Sequence, residues 1–209
     1  MGDIVGSEKT PSVEHLSAVF NNVIDQANER RRPSILSPLT ITLGDEFQGL
    51  ITSLRDAAII GRELRLQLMA DDINCRFVIG TVELKTSLNR DRAWNMMGIG
   101  LAQAREKLNE KRTDTLYRFS LLGQESTQVL LDAIGIGITS TERRWTRTQL
   151  HDIAKSLDGK SALDIAKMRN ISAHSVYKAK SNGEFEAYVL QWEAIMSALD
   201  SLDSQSVVQ

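Results

Sequence analysis

Apolar residues in the first 125 positions of the chain follow two different spacings. From Val13 to Glu29 they recur three and four residues apart, which predicts a helix with one buried face, and Ser53 to Met69 repeats the pattern. Leu39 to Leu43 instead alternates every second residue and runs into Gly44-Asp45, which predicts a β-hairpin with these two residues at its tip. The same reading predicts strands at 3–5, 75–82 and 116–121 and a third helix at 92–111.

These elements follow one another in the order β-α-β-β-α-β-α-β. This order predicts an α/β fold with a ferredoxin-like βαββαβ core and one extra unit. A further helix is expected from Gln124 and should end at Gly135 and Gly137, after which the pattern is helical throughout. We therefore predict an α/β domain at 1–138, an all-α domain at 142–203 and a frayed tail at 204–209.

Composition narrows the class of protein. Hydrophobic residues make up 42% and charged residues 25% of the 209 positions, close to the average of soluble globular proteins. No stretch approaches the roughly 18 apolar residues that a membrane span needs. Cys75 is the single cysteine, so an intramolecular disulfide and a cysteine-cluster zinc site are excluded. We expect a cytoplasmic protein that does not enter a membrane.

The small net charge of −2 hides an uneven distribution along the chain. Residues 142–182 hold nine Lys/Arg and four Asp/Glu, which gives +5, whereas the remaining residues carry −7. A basic segment attached to an acidic body suggests a partner with negative charge, of which nucleic acid is the most common.

The segment 161–180 fits a helix-turn-helix position by position. Ala166 is small where two helices approach, Asn170 suits a left-handed turn, and Ser172 suits the start of the second helix. In DNA-binding proteins the outer face of that second helix enters the major groove. The alternative is a helical hairpin with a solvated basic face. The predicted DNA contacts are Arg143, Arg144, Arg147, Lys160, Ala173, His174, Tyr177, Lys178 and Lys180.

Two acidic residues stand where the first strand and the hairpin are predicted to come together. Asp3 belongs to the first strand and Asp45 to the hairpin tip, and paired carboxylates can hold Mg²⁺ together with the phosphates of a nucleotide. Gly6, Ser7 and Gly44 lie beside them and would let the backbone approach a phosphate. The alternative for Asp45 is an ordinary turn residue.

This arrangement resembles the class III nucleotide cyclases and, more distantly, the GGDEF-type cyclases. The resemblance implies that Asp3 and Asp45 are metal ligands around a nucleoside triphosphate. The segment 98–108 resembles the cyclase helix that carries a catalytic Asn and Arg, but this chain has Ala102 and Glu106 at those positions. Because those side chains would stabilise the charge of the transferred phosphate, cyclisation is not expected, whereas nucleotide or metal binding is.

A second resemblance covers nearly the whole chain. The segments 3–7, 41–50 and 104–108, together with the predicted helix-turn-helix, resemble the SatD family of bacterial proteins. Members usually begin with a few more apolar residues, so we expect this chain to start midway through its first strand. The resemblance implies an architecture more than an activity.

Together these observations predict a bacterial regulator that joins a nucleotide- and metal-sensing domain to a DNA-binding domain. Helix-turn-helix proteins usually act as dimers, so a homodimer is expected. Two alternatives remain: an Mg²⁺-dependent enzyme that acts on nucleoside triphosphates, and a scaffold whose helical segment binds protein.

Overall fold

The computed structural model describes residues 1–9, 12–110 and 114–206. Within this part of the chain, a mixed five-stranded sheet and a two-stranded ribbon combine with eight α-helices. The strands are β1 (Gly2–Ile4), β2 (Ile35–Ile41), β3 (Glu46–Ile51), β4 (Cys75–Gly80), β5 (Glu83–Leu84), β6 (Gly98–Ile99) and β7 (Tyr117–Ser120). The helices are α1 (Val13–Arg30), α2 (Leu54–Ala70), α3 (Leu101–Asn109), α4 (Glu125–Arg143), α5 (Arg147–Leu157), α6 (Ala162–Arg169), α7 (Ala173–Asn182) and α8 (Phe185–Ser206).

The central sheet has the strand order β2-β3-β1-β4-β7. The short strand β1 lies between β3 and β4 and is antiparallel to both, whereas β4 and β7 are parallel. The predicted element order is therefore confirmed through β7, with the β5–β6 ribbon as an addition that the hydrophobic pattern did not reveal. Because β1 is a central strand, it has a neighbouring strand along each of its two edges.

One face of the sheet carries the main apolar core. Side chains from α1, α2, α4 and α8 cover it, and a chain of aromatic contacts crosses the sheet beneath them. Phe47 packs edge-on against Phe77, which stacks on Tyr117 with ring centroids 5.7 Å apart. Tyr117 in turn contacts Trp192 of α8, so the last helix is part of this core.

The third predicted helix is shorter than expected. It was predicted from Arg92, but α3 begins at Leu101, after the ribbon strand β6. Gly100 has a positive φ of 90°, and a Cβ there would lie 2.2 Å from the carbonyl oxygen of Thr81. The prediction failed because Gly98 and Gly100 allow a tight approach to the β5 strand rather than merely weakening a helix start. Lys111, at the predicted end, lies outside the described residues.

The prediction that the following helix ends at its glycines was wrong. The helix α4 runs without interruption from Glu125 to Arg143. Gly135 is buried, and a Cβ there would lie 2.3 Å from the backbone oxygen of Tyr117. This glycine therefore permits close packing of α4 on β7 and does not terminate the helix.

Buried polar contacts tie α4 and α8 to the rest of the molecule. The carboxylate of Glu142 in α4 accepts hydrogen bonds from the hydroxyl groups of Tyr117 and Tyr188 and from Nε of Arg65, at 2.8, 3.0 and 3.1 Å. Burial raises the pKa of Glu142, and its partners oppose that shift. At the far end of α8, Asp203 accepts the backbone N–H groups of Leu54 and Arg55 and so caps α2.

The division into 1–138, 142–203 and 204–209 stays a prediction. Two observations bear on the places where it was drawn: α4 spans positions 138–142 as one helix, and α8 continues through Ser206. Among the described residues, no helix is long and apolar enough to cross a membrane.

Candidate nucleic-acid interface and carboxylate pair

The helices α5, α6 and α7 each begin at a side chain that accepts a backbone hydrogen bond of the first turn. Thr146, Ser161 and Ser172 are these N-caps, and the first two complete reciprocal capping boxes. Between α6 and α7, Asn170 adopts the left-handed conformation with φ 53°, as the sequence predicted. Three residues thus suffice to turn the chain from one helix into the next.

A small apolar cluster fixes α6 against α7. Ala162, Ile165 and Ala166 of α6 bury their side chains with Val176 of α7, and Ile171 in the turn packs beside them. An ion pair connects α6 to α5, because the fully buried Asp152 of α5 accepts from Arg169 at the end of α6. The apolar cluster thus holds α7 on α6, and the ion pair holds α6 on α5.

The predicted contacts on α7 are mostly exposed. His174, Tyr177 and Lys178 are exposed, with 60% of Tyr177 accessible, whereas Ala173 is half-buried. Lys180 is also half-buried, with its Nζ atom 3.9 Å from the ring centroid of Phe185. Burial lowers the pKa of Lys180, and the nearby Glu186 and Asp152 oppose that shift. The outer face of α7 therefore presents an imidazole, a phenol and an ammonium group to solvent.

The predicted contacts outside α7 are also exposed, and acidic residues pair with Arg144 and Arg147. Lys160 precedes α6, Arg143 ends α4, and both are exposed. Arg144 pairs with Glu184 at 2.7 Å, and Arg147 pairs with Asp72. Such exposed pairs are weak, so a phosphate can replace the carboxylate at small cost.

Of the two predicted metal ligands, Asp3 lies in β1 and Asp45 directly precedes the neighbouring strand β3, and the two have different partners. Asp3 lies opposite Glu46 of β3 and Arg76 of β4, and it is 8% exposed. Nε of Arg76 donates to Oδ1 of Asp3 at 2.8 Å, and a second guanidinium nitrogen donates to Oδ2. Both carboxylate oxygens of Asp3 therefore accept from Arg76, and a cation at Asp3 would have to displace this guanidinium.

Asp45 lies at a junction of two turns. Oγ of Ser7 donates to Oδ2 of Asp45 at 2.5 Å, and the backbone oxygen of Asp45 accepts from the N–H of Ile4 at 2.9 Å. Gly6 and Gly44 both have positive φ, 73° and 79°. The fold thus brings together four of the five predicted nucleotide and metal residues, namely Gly6, Ser7, Gly44 and Asp45. The carboxylate of Asp3 instead faces Arg76. Among the described residues, no group of three or more His, Cys, Asp or Glu is placed to hold a metal ion.

The helix α3, part of the segment that resembles the cyclase helix, directs Arg105 toward the β2–β3 hairpin. Ala102 and Glu106 are exposed on α3, whereas the partly exposed side chain of Arg105 lies 3.5 Å from both Glu46 and Gln48 of β3. Neither Arg105 nor Arg76 was among the predicted site residues. A charged residue between two apolar ones in a buried strand, as in Cys75-Arg76-Phe77, is the signal that could have identified the second.

Comparison with known proteins gives one result. A model of the SatD family matches residues 1–182. The chain belongs to the SatD family. No curated protein and no solved structure matches it.

The SatD match includes the whole sheet and ends with α7. Every residue predicted to bind metal, nucleotide or DNA lies inside this SatD region. The last helix, α8, lies outside it, although its side chains complete the core of the sheet domain.

Proposed function

We propose that this SatD family protein is a cytoplasmic bacterial regulator that binds DNA through α6 and α7 acting as a helix-turn-helix. The observation that carries the proposal is the outer face of α7, where His174, Tyr177 and Lys178 are exposed while Val176 anchors the opposite side. The net charge of +5 over residues 142–182 supports it, because DNA binding depends on the attraction of phosphates.

The same proposal assigns a ferredoxin-like, cyclase-like core to the part of the chain that forms the sheet. The order β2-β3-β1-β4 with antiparallel neighbours is the order expected of a ferredoxin-like βαββαβ core, and this supports a cyclase-like ancestry. In this proposal the protein acts as a homodimer, so that two copies of α7 read successive turns of the major groove.

DNA binding is tested by fluorescence anisotropy with a labelled 30-base-pair duplex across a salt series. We expect affinity to fall steeply with salt. Replacement of Lys178 by Ala should weaken binding and lower the magnitude of the salt slope by about 1, because one phosphate or base contact is lost. Lys85→Ala is the matched control, since Lys85 is exposed directly after β5 and lies outside the basic segment 142–182.

Two outcomes would contradict the proposal. One is the absence of binding at 50 mM salt. The other is an equal loss of affinity in Lys178→Ala and Lys85→Ala, which would assign the attraction to overall charge rather than to α7. If charge reversal at Lys178 instead disrupts binding of a protein partner, the scaffold alternative gains support.

A second role is favoured by the contact between Ser7 and Asp45. Two turns with left-handed glycines meet there, and such backbone can approach a phosphate closely. In this role the Gly6, Ser7 and Gly44 backbone holds a nucleotide phosphate, and Asp45 is the residue that would hold Mg²⁺. The transition-state Asn and Arg positions carry Ala102 and Glu106, so this site is proposed for binding and not for cyclisation.

Thermal unfolding with ATP, GTP and their Mg²⁺ complexes tests this second role. A bound nucleotide raises the unfolding temperature, because only the folded state binds it. We expect the increase to disappear in Asp45→Ala and to persist in Asp25→Ala, which removes a carboxylate from α1. Turnover of the nucleotide that Asp45→Ala abolishes would instead support the enzyme alternative.

A further inference from the structure

The outer face of α4 is largely apolar although solvent reaches it. Val129, Leu130 and Ile136 are 65%, 66% and 41% exposed. Ala133 is exposed between them, and the spacing of three and four residues places all four side chains on one side of the helix. Apolar side chains that form one continuous exposed surface mark a site of interaction, whereas scattered ones do not.

The last helix enlarges this surface. α8 packs beside α4, where the side chain of Gln191 lies over Gly137, and the next residue, Leu190, is 67% exposed. Two adjacent helices, each about 27 Å long and about 10 Å wide, offer roughly 540 Å² in projection. Because a ridged surface has more accessible area than its projection, this face approaches the roughly 800 Å² per copy that a stable dimer buries.

The charges of α4 stand at the two ends of this face and have opposite signs. Glu125 begins the helix, Arg143 ends it, and both are exposed. Asp132 accepts from Lys107 and from the backbone of β7, and Glu142 is buried. Over the whole of α4, all of which the structure describes, the outward side is therefore uncharged between its ends. The helix dipole favours these signs at the ends, but it does not account for the uncharged middle.

We infer that the face formed by α4 and α8 is a dimer interface whose partner is a second copy of this chain. In the dimer the two α4 helices lie antiparallel across a two-fold axis that passes beside Ala133. Such an axis brings the same surface of both copies together, so positions equally far before and after Ala133 face each other. The inference rests on the homodimer of the proposed function and gives that homodimer its contact surface.

The apolar side chains match across this axis. Leu130 faces Ile136 of the partner subunit, and Val129 faces Gly137 of the partner subunit, where α4 and α8 meet. Ala133 faces its own copy, and its small side chain permits the close approach of two helices at their crossing point. Apolar groups therefore cover apolar groups, and their removal from water stabilises the dimer.

The charges select the antiparallel arrangement. With the axis at Ala133, Glu125 lies opposite position 141 of the other copy, about 3 Å along the helix from Arg143 of the partner subunit. Two such pairs form, one at each end of the interface. A parallel arrangement would instead place each of these charges beside its own copy, so that like charges repel. This contact assigns Arg143 to the dimer and leaves DNA to the other predicted residues.

Sedimentation velocity of the full chain without DNA tests the interface. We expect a reversible monomer–dimer equilibrium, and Leu130→Asp should raise the dissociation constant at least tenfold, because two charges per dimer enter its apolar centre. Leu43→Asp is the matched control, since Leu43 is 65% exposed in the turn between β2 and β3. This control should leave the dimer unchanged, and circular dichroism verifies that both variants are folded.

Charge reversal tests the orientation of the two helices. Glu125→Arg and Arg143→Glu should each weaken the dimer about tenfold, since attraction becomes repulsion at both ends. The double variant should recover most of this loss, because opposite charges meet again. Mild oxidation should link two copies of Ala133→Cys through a disulfide, whereas Ala102→Cys, at an exposed position of α3, should stay unlinked.

Four results would overturn the inference. These are a chain that stays monomeric at its highest soluble concentration, equal dimerisation of Leu130→Asp and Leu43→Asp, a double charge variant no tighter than the single variants, and equal cross-linking of the two cysteine variants. The first result also removes the homodimer from the proposed function. The other three leave that homodimer in place with a different interface, and none of the four bears on DNA binding by α7.

Discussion

At the scale of single residues, the pair Asp3–Arg76 is the most consequential contact of the candidate site. Its two charges are almost fully buried on the face of the sheet opposite the main core, together with Arg118 of β7. Buried charges of this kind are tolerated only when paired, because the loss of solvation on burial is large. The acid that resembles a cyclase metal ligand thus forms an internal ion pair in this structure.

Replacement of either partner of this pair should destabilise the fold. Asp3→Asn leaves the guanidinium of Arg76 without a counter-charge, and we expect a loss of about 3–5 kcal/mol in the free energy of unfolding. The double variant Asp3→Asn, Arg76→Met should lose less than the sum of the single variants. Urea denaturation of the four proteins measures the coupling. Additive losses would show that the two side chains act independently.

The thiol of Cys75 is a reactive group that its buried position makes inert. The thiol is fully buried in β4, and burial raises its pKa far above the ordinary value, with Asp3 contributing in the same direction. Because the thiolate is the reactive form, we expect labelling by a thiol reagent at pH 8 to occur only on unfolding. The labelling rate in buffer should not exceed the unfolding rate extrapolated to zero denaturant. Labelling at the rate of a free thiol would contradict this assignment.

At the scale of elements, the glycines of α4 show why local sequence signals can mislead. Gly135 and Gly137 differ in their neighbours, although both lie in one helix. A Cβ at Gly135 would meet the backbone of Tyr117, whereas one at Gly137 would meet only the end of the Gln191 side chain, 2.9 Å away. Backbone cannot move aside as a flexible side chain can.

The two alanine variants should therefore differ in sign. Gly135→Ala forces α4 away from β7, and we expect a loss of about 1–3 kcal/mol. Gly137→Ala should be neutral or stabilising by up to about 1 kcal/mol, because alanine is the better helix former. Thermal unfolding followed by circular dichroism compares them directly. Equal losses of stability in both variants would show that the close packing of α4 on β7 does not depend on Gly135.

Prediction from sequence succeeded where a pattern was local and strong. The alternation at Leu39–Leu43 and the cap at Ser172 depend on neighbours in sequence. The cap was predicted correctly, and the alternation identified the first strand of the hairpin, although β2 runs from Ile35 to Ile41. The start of α3 and the length of α4 were not, because the roles of Gly100 and Gly135 depend on Thr81 and Tyr117, which are distant in sequence. The ion pair of Asp3 likewise spans 73 positions, and no local pattern encodes it.

At the scale of the whole molecule, α8 connects the helical segment to the sheet. Tyr188, Trp192, Ile195 and Leu199 are buried in the main core, and Asp203 caps α2. The helices α5–α7 therefore stand between two elements, α4 and α8, that both belong to the packing of the sheet. In the proposed DNA complex, a movement of α7 would be transmitted through these two helices.

The fragment 1–143 tests whether the sheet domain folds without these helices. We expect it to lose cooperative thermal unfolding, because the core side chains of α8 are removed, including Tyr188, which is one of the three partners of Glu142. Addition of a peptide covering residues 184–206 should restore a sharp transition. A cooperative transition in the fragment alone would support the predicted boundary near 138–142 instead.

The capping of α2 by Asp203 also has a consequence for biosynthesis. The two capped N–H groups and the carboxylate are 149 and 148 positions apart in sequence, so this contact forms only after almost the entire described chain has left the ribosome. Domains generally fold during synthesis from the amino-terminal side. The apolar face of the sheet therefore stays incompletely covered until α8 has been synthesised. During that interval it is an exposed surface that chaperones can bind.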